Sequence, residues 1–151
     1  MAEVKVLVFP NGEGLELPSY ATAGSAGFDL RAAIEEDIVL PEGVGGIYII
    51  PTGIGLEIPM NLEGQVRPRS GLAAKNGISI INSPGTIDPD YRGEIKVILT
   101  KLVSQEFTIK RGDRIAQLVL SPITRVILKE SQALSATERG AGGFGSTGVN
   151  A

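Results

Sequence analysis

The stretch DIVLPEGVGGIYIIPTGIGLEIPMNLEGQVRP, from Asp37 to Pro68, contains four short β-like runs, each stopped by a proline. Residues 37–40 end at Pro41, 46–50 at Pro51, 53–58 at Pro59 and 64–67 at Pro68. Proline lacks the N–H that a central ladder needs, so these are brief strands separated by turns rather than pieces of helices. Working outward, residues 4–9 alternate before Pro10-Asn11-Gly12, and similar runs occupy 78–81, 94–99, 107–109, 115–120 and 126–128. Many short strands with dense turn signals predict an all-β domain: an antiparallel sandwich, a jelly roll or a barrel.

One helical signal interrupts the strands. Ser70-Gly71-Leu72-Ala73-Ala74-Lys75-Asn76-Gly77 offers a serine N-cap, good helix formers and a terminating glycine. Runs such as Val97-Ile98-Leu99 and Leu118-Val119-Leu120 are apolar at every position, which calls for burial on both faces or for cover by another subunit. The chain has 151 residues, the size of one domain. We expect a β body over residues 1–136 and a flexible glycine-rich tail over 137–151, in which Arg139 and Phe144 stand out among glycines.

Composition narrows the chemistry. With no cysteine there is neither disulfide nor thiol catalysis, and with no histidine as well a zinc centre loses its usual ligands. A general base must then be a carboxylate, a lysine or a tyrosine. The N-terminus enters a strand directly, without a secretory pattern, and no apolar run is long enough to span a bilayer, so the expectation is a soluble cytoplasmic protein. A net charge of −3 speaks against a broad nucleic-acid surface but leaves room for a compact anion site.

Three segments could carry that site. Arg67-Pro68-Arg69-Ser70-Gly71 sets two arginines beside a hydroxyl and free backbone N–H groups, a phosphate-binding combination. Asn82-Ser83-Pro84-Gly85-Thr86-Ile87-Asp88-Pro89-Asp90-Tyr91-Arg92-Gly93 joins two apolar runs; its backbone could read a base edge and an acid beside it could activate water, although Asp-Pro-Asp is also an ordinary turn. Arg111-Gly112-Asp113-Arg114 leads into a strand where Gln117 is a polar residue that needs a partner. Asp29, in Gly27-Phe28-Asp29-Leu30-Arg31, is either structural or part of a metal's outer shell.

These segments, in this order and with the glycine-rich tail, resemble the trimeric dUTP nucleotidohydrolases (dUTPases) from Ala26 to Gly148. The resemblance implies a jelly-roll-like homotrimer with active sites shared among subunits. It also implies Mg²⁺-assisted hydrolysis of dUTP to dUMP and pyrophosphate, which limits uracil in DNA and supplies dUMP for thymidylate synthesis. By position, Asp88 would orient the attacking water, with Gln117 at the α-phosphate. Arg69, Ser70 and Gly71 would hold phosphates, while Asn82, Thr86 and Ile87 would read uracil with Lys96 nearby. Tyr91 would underlie the deoxyribose, and Asp29 would reach Mg²⁺ through water. From the tail, Arg139 would meet the γ-phosphate and Phe144 would stack on the base, with Gly145 and Ser146 beside it. No nucleic-acid or membrane partner is implied. The related dCTP deaminases, some of which also hydrolyse dUTP, are the alternative; they place a glutamate where Ile98 stands here, and Ile98 cannot move a proton.

Overall fold

A computed structural model describes residues 3–143. Eleven strands follow one another along the chain: β1 (Lys5–Val8), β2 (Gly27–Arg31), β3 (Ile38–Leu40), β4 (Gly45–Pro51), β5 (Ile54–Glu57) and β6 (Leu62–Arg67), then β7 (Ile78–Ile80), β8 (Gly85–Ile87), β9 (Lys96–Lys101), β10 (Phe107–Ile109) and β11 (Arg114–Pro122). Helix α1 (Ser70–Asn76) lies between β6 and β7, and a 3-10 turn covers Pro10–Gly12. All pairings are antiparallel. They form a four-stranded sheet β2-β11-β6-β8, a three-stranded sheet β4-β9-β7 and the pairs β1-β5 and β3-β10. The arrangement is all-β, as the proline-punctuated runs predict, and jelly-roll-like, as the resemblance implies.

Period-2 alternation builds one core from all four sheets. Leu30, Leu118 and Val66 point inward from the four-stranded sheet and meet Ile50, Val97 and Leu99 from the three-stranded one. Ile54 and Leu56 of β5, with Leu40 and Ile109 of the β3-β10 pair, complete the cluster. The opposite faces of the two larger sheets differ. That of β2-β11-β6-β8 is polar, with Asp29, Gln117 and Arg67 in register across three strands. That of β4-β9-β7 carries an apolar patch on its β4 side, where Ile47 and Ile49 are 71% and 58% exposed and Ile49 lies opposite Ile98, beside the polar Ser79 and Thr100.

Three sequence-based expectations need correction, and β2 (27–31) lies outside the runs read as strands. Residues 85–87, taken as part of a turn, are a strand. Residues 126–128 form no strand; Ile127 and Leu128 are 96% and 93% exposed, and apolar β-branched residues make a strand only where a partner edge exists. Ser70 is the first residue of α1, not its cap. Arg69 is the N-cap, held extended at φ −92° and ψ 127°, and no side chain caps the helix. The expected glycine stop holds, with Gly77 at φ 60°.

Lys101 is the unexpected core residue. It continues the inward phase of Val97 and Leu99 and is 1% exposed. Its ammonium donates to the carbonyls of Gln105 (2.8 Å), Leu40 and Ser104 (both 3.4 Å) and to that of Pro41, tying the 102–106 loop to the end of β3. Replacing it with an apolar side chain would orphan carbonyls that the ammonium now satisfies. Lys101→Met is therefore expected to lower unfolding free energy by about 2 kcal/mol in urea titration; an unchanged midpoint and slope would contradict this account.

Candidate active site

The polar row on the four-stranded sheet carries a built electrostatic cluster. Asp29 on β2 accepts Arg69 Nε at its Oδ1 (2.8 Å) and Arg114 Nη1 at its Oδ2 (3.2 Å). Arg69 also donates from Nη1 to the Arg114 carbonyl at 3.1 Å. These bonds explain why the helix starts at Ser70: they draw the Arg69 side chain back toward β2 and hold its backbone extended. Gln117, paired with Asp29 on one side and Arg67 on the other, finds the partner its polarity requires by donating to the Pro68 carbonyl at 2.9 Å. Ser70 and Gly71 follow, both exposed.

Two guanidiniums on one carboxylate leave the cluster with a local excess of one positive charge, which suits an anion. The two arginines flanking Pro68 behave differently. Arg69 is pinned beside Gln117, whereas Arg67 lies along its own strand and bonds Gln65, which in turn donates to Glu63. Sequence reasoning passed over Arg114; its place in the polar turn before a buried strand was the available signal.

Direct metal ligation fits poorly here. Among the described residues no group of three acidic side chains could hold a cation, and both Asp29 oxygens already accept from guanidiniums. A hard cation that keeps its waters could still be carried by phosphate oxygens.

A second group sits on β8 and the turn that follows it; β8 pairs with β6 rather than with β7 or β9, so the segment is not the two-stranded hairpin its turn residues suggest. Gly85–Ile87 pairs with β6, and the Asn82 amide folds over Gly85. Thr86 and Asp88 are exposed, with Ile87 between them half-buried. A turn follows, closed by Tyr91 N–H donating to the Asp88 carbonyl at 3.1 Å. Arg92 braces it, reaching the Pro89 carbonyl at 2.7 Å and that of Tyr91 at 3.1 Å. Tyr91 is 43% exposed; its hydroxyl donates to the Glu94 carbonyl at 3.0 Å and its ring lies over Gly93, where a Cβ would collide with it. Lys96 opens β9 opposite Pro51 and is exposed, on the other sheet.

Register separates the two groups within one chain. Gly64 of β6 faces Ile87, so Asp88 continues away from the Arg67 end of that strand. Asp88 lies one residue beyond the Gly64 row, so six residues at about 3.3 Å each separate it from Arg69, about 20 Å along the strand direction. Arg139 is exposed on the C-terminal segment and donates to the Gly142 carbonyl at 2.9 Å. Phe144, Gly145 and Ser146 lie outside the described residues.

A β fold with a guanidinium cluster at one end of a polar sheet face and an acid-bearing turn at the other defines a protein equipped for a polyphosphate ligand. Comparison with known proteins makes this specific. The dUTPase family profile matches residues 13–148, and the chain belongs to the dUTPase family. It is 56% identical over 145 residues to the deoxyuridine 5'-triphosphate nucleotidohydrolase of Neorickettsia sennetsu, covering 96% of each chain. It is 58% identical over 139 residues to that of Rhizobium leguminosarum bv. trifolii, covering 92% of this chain and 89% of the other. Among solved structures, the dUTPase of Staphylococcus bacteriophage 80alpha with dUpNHpp superposes with a TM-score of 0.86 at 26% identity, over 99% of this chain and 100% of that one.

If the Asp29-anchored cluster is the anion site, Arg69→Ala is expected to weaken binding of inorganic triphosphate at least about tenfold by calorimetry, whereas Arg67→Ala leaves it within about twofold. Equal losses in the two variants would contradict the distinction between them.

Proposed function

We propose that the chain hydrolyses dUTP to dUMP and pyrophosphate at sites formed between the copies of a homotrimer. The observation that carries this reading, beside membership of the family, is the separation of Asp88 from Arg69 along β6. Gln117, assigned to the α-phosphate, lies in the Arg67 row on β11, whereas Asp88 lies beyond the Gly64 row on the other edge of β6, so in this reading the Asp88 segment of one copy meets the anion cluster of another. Exposed apolar surface supports such assembly: Ile47 and Ile49 on the outer sheet face, and Val126, Ile127 and Leu128, are left exposed by the described residues.

In this reading uracil lies along β8, where the Thr86 and Ile87 backbone and the Asn82 amide face its polar edge. The deoxyribose rests on the Tyr91 ring, which leaves no space for a 2′-hydroxyl. Asp88 accepts a proton from water as the water oxygen attacks the α-phosphorus. The bond from that phosphorus to the oxygen bridging toward the β-phosphate breaks, and pyrophosphate leaves with that oxygen. Gln117 lies at the α-phosphate, and Arg69, Ser70 and Gly71 at the remaining phosphates. Fixed cationic and N–H donors stabilise charge as it moves onto the leaving group.

Mg²⁺, when bound, would supply charge neutralisation; among the described residues no acidic group of three would cage it, so the substrate phosphates would carry it. Asp29 serves first to hold Arg69 and Arg114; its contact with the ion would run through coordinated water. Residues 137–151 are proposed as a separate lid over the body formed by residues 1–136, bringing Arg139 to the γ-phosphate and Phe144, Gly145 and Ser146 to the nucleoside. Lys96 is proposed to add positive charge near the uracil end.

Asp88→Asn keeps the shape of the side chain and removes the proton acceptor. It is expected to cut kcat by about 10²- to 10⁴-fold in a pyrophosphate-release assay while leaving dUTP affinity within a few fold. Turnover near the parent rate would remove Asp88 from the mechanism.

A further inference from the structure

Tyr91 is too exposed for packing alone to fix its ring, yet its hydroxyl is bound to a backbone carbonyl whose own residue is clamped. Oε1 of Glu94 accepts two hydrogen bonds, from the Asn11 amide at 2.7 Å and from the Gly53 N–H at 2.8 Å. These donors lie 83 and 41 residues away in sequence, so they anchor the segment to the body rather than to itself. They are also firmly placed. The Asn11 amide donates to the Ala33 carbonyl as well (3.3 Å), and the Phe9 N–H donates to the Gly53 carbonyl at 2.8 Å. A Cβ at Gly12 would run into the Gly53 backbone, so the 3-10 turn and the β4–β5 connection are in closest contact. Next to Glu94, Ile95 donates to the Ile54 carbonyl and its own carbonyl accepts from the Thr52 hydroxyl at 2.7 Å.

We propose that Glu94, held by Asn11 and the Gly53 amide, is a positioning residue that fixes Tyr91 and so sets the preference for deoxyribose over ribose. The inference rests on Tyr91 being the sugar-facing residue. Glu94 does not touch the nucleotide. It acts by fixing the carbonyl that receives the Tyr91 hydroxyl, and a ring free to swing would make room for a 2′-hydroxyl. Its partners are neutral N–H groups, so the carboxylate serves as an acceptor. The amide oxygen of glutamine at this position could accept the same two bonds.

The test measures kcat and KM for dUTP and UTP. Glu94→Ala, Asn11→Ala and Tyr91→Phe are each expected to lower the dUTP/UTP ratio of kcat/KM about five- to tenfold, the scale of one lost hydrogen bond. Glu94→Gln should stay near the parent ratio. The Tyr91→Phe/Glu94→Ala double variant should be no worse than either single change, because both break one linkage. A general loss of stability would lower both substrates together and add across the pair. The proposal is overturned if a folded Glu94→Ala keeps the parent ratio, or if the double variant is additive; should Glu94→Ala not fold, Asn11→Ala with Tyr91→Phe forms the same cycle. Tyr91→Ala separates the premise from the inference. If it relaxes the ratio while Tyr91→Phe and Asn11→Ala do not, positioning alone fails; if it leaves the ratio unchanged, the sugar-facing role fails first.

Discussion

The antiparallel register of β6 is the constraint on which the rest depends. One edge of that strand carries β8 and the other β11, and the two neighbours bring their functional residues to opposite ends of it. Gln117 and Asp29 share the Arg67 row, whereas Ile87 shares the Gly64 row and Asp88 lies beyond. A strand shifted by one residue would send its side chains to the other face, so buried Val66 and Leu118 lock this geometry in place. Core packing thus dictates that the acid and the anion cluster be separated, and the proposed assembly of copies is the means of reuniting them.

Electrostatic design follows from the same sheet. Asp29 could be mistaken for a metal ligand, but two arginines claim its oxygens, one from the β6–α1 link and one from β11. The carboxylate restricts two flexible cations and leaves them net positive, which orients donors before an anion arrives. The turn after β8 shows the same principle with neutral donors: Glu94 is tied to Asn11 and Gly53, and Tyr91 is tied to Glu94. In both places a side chain with a proposed ligand contact is held by a carboxylate behind it.

Much of this was legible in the sequence. Prolines at 41, 51, 59 and 68 marked strand ends, and the alternation of Phe28 and Leu30 with Asp29 and Arg31 would have revealed β2 to a strict period-2 reading. The same phase through Val97 and Leu99 would have placed Lys101 in the core, had the all-apolar run not hidden the alternation. Other features were hidden because they depend on long-range contact. Nothing near Asp29 in sequence announces Arg69 or Arg114, 40 and 85 residues away. Glu94 looked like the polar start of an apolar run because Asn11 and Gly53 are distant in sequence. The turn residues around Gly85 masked β8, and residues 126–128 looked like a strand because sequence does not disclose whether a partner edge exists.

The central claim, that the Asp88 segment of one copy works with the anion cluster of another, is tested most directly by subunit mixing. Chains carrying Asp88→Asn and chains carrying Arg69→Ala, each nearly inactive alone, are co-expressed in equal amounts and the mixed oligomer is assayed for pyrophosphate release. With the two groups contributed by different copies, random assembly leaves about a quarter of the sites intact and restores about a quarter of parent activity. Activity no higher than the average of the two separate variants would mean that each site lies within one chain, and would contradict the account.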